Sequence, residues 1–328
     1  ASDEGYHLEV GSELEFFLVT REAANGIAPI DRGGYFDVLP SDGGLDFRRR
    51  VVRTLRRMGI ATTAHHHEAA EGQHEICLRH GPAVRIPDSV MLSKLAIAEL
   101  AHQEGMIATF MPKPFVGCNG SGMHLHQSLW DIDVDKNLFA TDDAGALSDI
   151  AGHYVAGLLT HAGALAAIVA PTINSYKRLT PGFEAPTRIA WGPRNRSTMI
   201  RVPQFNGSSM KARIEFRCPD PSCNPHLAIA AILAAGLDGV RRSLEPPSPT
   251  DEDLFESETE VASLPASLIH ALGELNKDST LRRALGDRVV DTIVDVRTKE
   301  WSEYLDATGD PGPSHITGWE MERYLLAS

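Results

Sequence analysis

Cysteine is scarce in this 328-residue chain, with only Cys77, Cys118, Cys218 and Cys223 and no C-x-x-C pair among them. That argues against a disulfide framework or a zinc ribbon and fits a reducing cytoplasm. Long apolar runs are also missing: the longest, residues 162–171 and 227–237, are too short to span a bilayer. The chain opens Ala1-Ser2-Asp3-Glu4, without the charged-then-apolar pattern of a signal segment. Internal repeats and low-complexity tracts are lacking too. No membrane role is expected. With 42% hydrophobic and 23% charged residues and a mean hydropathy of −0.17, the composition is that of a soluble chain. It can bury one large core or two moderate ones.

The net charge of −13 is unevenly spread. Residues 245–328 hold 18 acids and 7 bases, so the preceding 244 residues sum to only −2. Within those, residues 177–217 carry nine bases (Lys177, Arg178, Arg188, Arg194, Arg196, Arg201, Lys211, Arg213, Arg217) against Glu184 and Glu215. Any one arginine reads as a solvated surface charge. Nine, interleaved with Gly, Pro and Asn, point to a polyphosphate or carboxylate ligand. Nucleic acid is disfavoured, because the field of the whole chain repels it.

The hydrophobic pattern predicts a buried strand over residues 10–20 and loops over 21–45. A basic amphipathic helix over 45–58 ends at Gly59, and a strand region spans 65–75. A helix over 89–103 has Asp88 as N-cap and Met91, Leu92, Leu95, Ala96 and Ile97 as its apolar positions. The tight loop Asn119-Gly120-Ser121-Gly122 leads into a strand over 123–129. One apolar helix is expected over 147–170 and a strand over 214–217. Asn224 and Pro225 then start a buried helix over 227–240. Pro246-Pro247-Ser248-Pro249 marks a break before an acidic helical region that ends at residues 319–326.

Three strand patterns place functional groups at i and i+2: Glu13 with Glu15, His124 with His126, and Arg213, Glu215 and Arg217 in series. Each set projects from one face. Two carboxylates beside Phe16, Phe17, Leu18 and Val19 cost several kcal/mol to bury unless cations neutralise them. For Glu13 and Glu15 alone, a structural ion pair is the alternative to a metal. Glu68 and Glu75 add two more acids, and a site of carboxylates with one or two imidazoles favours Mg²⁺ or Mn²⁺ over zinc. His65, His66 and His67 alternate faces and so read as packing and hydrogen bonding. His153 and His161 read as satisfied helix histidines.

Together these residues resemble glutamine synthetase, the type I bacterial and archaeal form. The motifs are GSELEFF (11–17), GGYFD (33–37), HHHEAAEGQHEI (65–76) and ATFMPKPFVGCNGSGMHLHQSL (108–129). They continue with NSYKRLTPGFEAP (174–186), RNRSTMIRVP (194–203) and ARIEFRCPDPSCNPHLAIAAILAAGLDGV (212–240). The resemblance implies an α+β fold, a curved and largely antiparallel sheet flanked by helices and forming a funnel-shaped active site. Residues 1–328 would form the catalytic domain, with about 246–328 as its acidic helical C-terminal region. It implies one divalent ion held by Glu15, Glu68 and Glu75 and a second held by Glu13, His124 and Glu215. His126 and Ser128 would contact ATP. Asn119, Gly120, Arg178 and Arg217 would hold glutamate. Arg196, Arg201 and Arg213 would grip the phosphoryl group and the ADP phosphates. Glu184 would sit on a flap over the acyl phosphate, and Tyr35 near the ammonium pocket.

The reaction so implied is ligation of ammonia to glutamate through γ-glutamyl phosphate, in a ring-shaped homo-oligomer. The family places a small β-grasp domain ahead of the catalytic one, and a metal-ligand pair at residue 13 leaves no room for it here. A dodecamer is expected where that domain is present. This chain by itself is expected to bind nucleotide but to turn over and assemble poorly. No tyrosine lies between Tyr176 and Tyr304, so the adenylylation that some bacterial members carry at the equivalent of residues 250–265 is not expected. Two rival readings use the same fold: a γ-glutamyl ligase for an amine or polyamine, and a non-catalytic scaffold. All six metal-ligand positions are filled, which disfavours the scaffold.

Overall fold

The computed structural model describes residues 1–22, 26–141, 147–205, 208–257, 260–309 and 311–327. Parts of the expected loop 21–45 and of the segment 250–265 lie outside them. In chain order the elements are β1 (Tyr6–Arg21), β2 (Ile27–Pro29), α1 (Leu45–Arg57), β3 (Thr62–His67), β4 (Gln73–Leu78), β5 (Gly81–Pro82) and α2 (Ile86–Gln103). Next come β6 (Ile107–Thr109), β7 (Met123–Asp131), β8 (Lys136–Asn137), α3 (Asp149–Thr160), α4 (Ala162–Val169) and α5 (Ser175–Arg178). The remainder are β9 (Trp191–Pro193), β10 (Ile200–Val202), β11 (Ile214–Phe216), α6 (Pro225–Arg241), α7 (Leu268–Lys277), α8 (Ser279–Leu285), α9 (Asp287–Thr308) and α10 (Gly318–Tyr324).

The long strand β1 organises the sheet, because it pairs with β2, β4, β5, β6 and β7. The main path runs β3-β4-β1-β7-β11-β10-β9. Pairing among the described residues is antiparallel except between β9 and β10. This is the α+β, largely antiparallel sheet expected. Along β1, Leu8, Val10, Leu14, Phe16 and Leu18 enter the main core beneath the helices. Phe17 and Val19 join a smaller cluster with Ala70 on the other face, the face that also carries Glu13 and Glu15. Period-two alternation thus separates core from chemistry on a single strand.

Three sequence expectations change. Residues 65–75 are not one strand region but parts of a hairpin, β3 and β4, turning at 68–72. The helix expected over 89–103 starts at Ile86 with no side-chain cap, and Asp88 instead faces His226 at 2.9 Å. Its buried stripe is Ile86, Val90, Ser93, Lys94, Ile97, Leu100 and Ala101, whereas Met91, Leu92 and Leu95 are exposed. Ser93 and Lys94 disguise that stripe. Lys94 tolerates burial because its ammonium donates to the Pro221 carbonyl at 2.6 Å and lies 5.1 Å from the Phe110 ring centroid.

The single helix over 147–170 is two, α3 and α4, bent by 75°. The break falls at His161, whose ring nitrogens lie 2.6 Å from Asp278 and 3.1 Å from Asp238. Burial lowers the affinity of that imidazole for a proton, but the two aspartates outweigh it and raise the pKa. His153 Nδ1 lies 2.8 Å from the Leu244 carbonyl, so both histidines are satisfied. No single helix among the described residues is long and apolar enough to cross a membrane. The bent pair passes on composition but lies within the core. Asn224 caps α6 as expected, accepting from His226 and Leu227. The acidic C-terminal region is anchored by Glu320, which pairs with Lys177 at 2.6 Å.

Helices α3 and α6 touch backbone to backbone through Gly157 and Gly239. A Cβ on Gly157 would lie 2.2 Å from the Ala235 carbonyl oxygen, so Gly157→Ala forces the helices apart. We expect it to cost about 1–3 kcal/mol of stability, as overpacking does. Gly273→Ala on α7, where nothing lies within 4 Å, should instead stabilise by up to about 1 kcal/mol through helix propensity. Urea denaturation of the two variants checks the contrast; equal shifts would contradict it.

Candidate active site

Register gathers the polar pairs on the sheet face opposite the main core. Glu13 of β1 stands opposite His124 of β7, and Glu15 opposite Glu75 of β4. His66 of β3 stands opposite Glu75. Glu215 of β11 stands opposite His126 on one side and Arg201 of β10 on the other. Glu68 enters from the β3–β4 turn. Oxygens of Glu15, Glu68 and Glu75 come within 4.8 Å of one another, and ligand atoms of Glu13, His124 and Glu215 do the same. These are the two triplets that the resemblance implies.

The two triplets differ in charge balance. In the first, burial and then the charge of Glu75 push Glu15 up to about 8. Burial and then Glu15 and Glu75 push Glu68 up to about 9. His66 lies 3.4 Å from Glu68 and 3.2 Å from Glu75 and His124 3.9 Å from Glu15, and with Arg178 and Arg217 they do not offset the burial of Glu15. In the second, burial raises Glu13, but His126 and His124 outweigh it and hold that carboxyl well below the usual range. Glu13 lies 2.7 Å from His126 Nε2 and 3.0 Å from His124 Nδ1. Glu215 is likewise held down against burial, chiefly by Arg217, to which it is hydrogen bonded. Arg201 lies 3.0 Å from its other oxygen.

Two cavities meet at Glu13. One, of about 150 Å³, is lined by both carboxylate triplets except Glu215, and by Tyr35, His66, Gln73, Asn119, Gly120, Arg178, Phe183, Glu184, Arg196, Arg201 and Arg217. The other, of about 270 Å³, is lined by His126, Ser128, Trp130, Cys77, Lys211 and Arg213 among others. Glu215 sits beneath the first, fully buried. Residues 1–324 match the glutamine synthetase catalytic domain family. The chain belongs to the glutamine synthetase family.

Members of that family resemble it closely. The glutamine synthetase of Methanococcus maripaludis is 45% identical over 322 residues, covering 96% of this chain and 70% of the relative. That of Thermotoga maritima is 44% identical over 330 residues, covering 98% and 72%. A solved structure titled GmaS/ADP complex superposes with a TM-score of 0.83 at 33% identity, covering 99% of this chain and 74% of that one.

The loop 119–122 shapes the first cavity. A Cβ on Gly120 would lie 2.3 Å from the Pro112 carbonyl oxygen, so a larger residue cannot occupy the position. Gly122 N–H donates to Glu15 at 2.8 Å, and Gln73 donates both to Glu15 at 3.1 Å and to the Gly120 carbonyl at 3.0 Å. Arg178 is buried beside this loop and donates to the carbonyls of Cys218 and Arg217. Glu184, also lining the cavity, is exposed with a φ of +48°, a conformation uncommon outside glycine. Arg196 donates to the Tyr35 hydroxyl at 3.2 Å, and Arg213 lies 3.2 Å from His126 Nδ1.

Not every basic residue of 177–217 joins the site. Lys177 pairs with Glu320, and Arg188 donates to Ser263. His66, expected to serve packing and hydrogen bonding, lines the first cavity instead, and so does Gln73, to which the sequence assigned no role. Period two places His66 on the face of Glu68 and opposite to His65 and His67. His67 and His74 meet Asp31 behind the sheet. This third cluster suits a cation poorly. Arg48 lies 2.7 Å from His74 Nδ1, and burial followed by Arg48 takes His74 down to about 3.

The residues fit divalent ions. Burial and mutual repulsion outweigh the nearby cations at Glu15 and Glu68, the donors are mainly hard oxygens, and among the described residues the buried Nε atoms of Arg201 and Arg217 have no hydrogen-bond partner, leaving donors for an anion. Without an ion, Glu15 and Glu68 keep protons at neutral pH, so the folded chain binds more protons than the unfolded one and loses stability as pH rises from about 5 to 9. Mn²⁺ must displace those protons. We expect proton release on Mn²⁺ binding near pH 7, and affinity that rises with pH until the cluster is ionised. Calorimetry in buffers of different ionisation enthalpy measures this; binding without proton release would contradict it.

Proposed function

We propose that this chain ligates ammonia to the γ-carboxylate of L-glutamate with ATP, through γ-glutamyl phosphate, giving glutamine, ADP and phosphate. The observation that carries this reading is the meeting of two cavities at Glu13. One is lined by arginines and a glycine loop suited to an amino acid, the other by groups suited to a nucleotide. Mg²⁺ or Mn²⁺ held by Glu15, Glu68, Glu75 and by Glu13, His124, Glu215 would supply charge neutralisation for phosphoryl transfer. Phosphoryl transfer is catalysed mainly by positioning and by balancing charge on the transferred group. Arg196, Arg201 and Arg213 serve that balance. Asn119, Gly120, Arg178 and Arg217 hold the amino acid, and His126 and Ser128 face the nucleotide.

The acyl phosphate is vulnerable to water, so it needs a cover until nitrogen attacks. Residues 181–186 provide it, with Glu184 aimed into the cavity mouth. Tyr35 and Glu68 line the space for the incoming ammonium. We further infer that residues 1–328 work as one catalytic domain, the helical region after residue 246 buttressing it through Glu320 and Lys177. A ring-shaped homo-oligomer belongs to the same reading. Its support is the exposure of large apolar side chains such as Phe36, Val38, Leu39, Val84 and Leu95.

The test is an assay of ADP, phosphate and amide product with glutamate, ATP and Mg²⁺, comparing ammonium with small amines. Glutamate-dependent phosphate release and a preference for ammonium are expected. A preference for an amine would favour the amine-ligase reading; no glutamate dependence would overturn both. Glu184→Ala should keep ATP cleavage yet release phosphate in excess of glutamine, and tight coupling in that variant would contradict the covering role.

A further inference from the structure

Lys113 is a buried lysine that the mechanism above does not use. Its residue is 4% exposed, and its backbone is clamped on both sides by Asn174, which accepts from Lys113 N–H at 2.7 Å and donates to its carbonyl at 3.0 Å. From this fixed base the ammonium makes two contacts. It donates to the carbonyl of Cys118, the residue before Asn119, and it lies 3.6 Å from the ring centroid of Phe183, the residue before Glu184. No acidic side chain among the described residues pairs with it. Burial takes its pKa down to about 8.

Burying an ammonium without a counter-ion is costly. A methionine of similar length would fill the same space without that cost. What the charge adds is a link between two loops that both line the first cavity. One is the glycine loop that shapes the amino-acid end, and the other is the cover that carries Glu184. The ring face of Phe183 attracts that cation through its quadrupole, beyond the apolar contact a methionine would keep.

We propose that Lys113 is a positioning residue that ties the cover 181–186 to the loop 118–122, so that Glu184 and the amino-acid contacts are set together. The Cys118 carbonyl and the Phe183 ring hold the same nitrogen from two sides. Displacing Phe183 therefore frees Glu184, whose left-handed backbone depends on support from its neighbours. Loss of the link should open the cover more than it disturbs ATP binding. This inference rests on the covering role proposed for Glu184.

The experiment compares Lys113→Met, Lys113→Arg, Phe183→Leu and Glu184→Ala in the full chain. It measures phosphate released per glutamine formed, the glutamate KM and nucleotide affinity. Lys113→Met and Phe183→Leu should each raise the ratio of phosphate to glutamine roughly three- to thirtyfold, the span from an exposed to a desolvated cation–π contact. Both should raise the glutamate KM and leave nucleotide affinity unchanged. The double variant should be no worse than the poorer single, and Lys113→Arg should restore coupling. Should Lys113→Met fail to fold, Phe183→Leu and Lys113→Arg carry the test. Uncoupling in Glu184→Ala with wild-type coupling and KM in Lys113→Met, or in Phe183→Leu if the former does not fold, overturns the link alone. Additive defects in the double variant, or an Arg variant as uncoupled as Met, do the same. One-to-one coupling in Glu184→Ala overturns the covering role and this inference with it.

Discussion

Three carboxylates, Glu15, Glu68 and Glu75, converge in a largely buried space beside the imidazoles of His66 and His124. Like charges this close cannot all ionise without a cation, and burial makes the repulsion worse. Two ways of relieving it are protonation and a divalent ion. The rest of the site is arranged around that demand. The neighbouring triplet shows the opposite balance, with His124, His126, Arg201 and Arg217 around Glu13 and Glu215. The first cavity thus holds a negative pole beside a more balanced one, and Glu13 joins it to the second cavity, lined by His126, Lys211 and Arg213.

The sheet supplies this arrangement without long-range ingenuity. One strand, β1, carries apolar residues at even positions into the core and Glu13 and Glu15 at odd positions to the cavity. Antiparallel pairing then aligns β4 and β7 so that their polar pairs meet those of β1. A register slip of one residue would send Glu13 and Glu15 into hydrocarbon and Leu14 into the cavity. The polar site is therefore secured by the apolar core behind it. Close glycine contacts between α3 and α6 serve the same end, keeping that core dense.

Much of the site was legible in the sequence, since strand periodicity alone places Glu13 with Glu15, His124 with His126, and Glu215 with Arg213 and Arg217. Their division into two triplets needed the resemblance, because period two gives the face but not the neighbouring strand. The helices were read less well. Lys94 broke the apparent stripe of α2 because its charge is satisfied by a carbonyl and a ring 127 and 16 positions away. His161 was invisible as a breakpoint because Asp238 and Asp278, which hold it, lie far along the chain. Lys113 stands within the 108–129 motif with no role legible from sequence, for its partners are a backbone carbonyl and a ring. Sequence patterns report periodicity; they do not report which distant atom satisfies a buried charge.

The most direct test of the account is anomalous diffraction from crystals of this chain grown with Mn²⁺. It predicts two manganese peaks a few ångströms apart, one bounded by Glu15, Glu68 and Glu75 and the other by Glu13, His124 and Glu215. A single peak, or manganese bound at Asp31, His67 and His74 with both triplets empty, would contradict it.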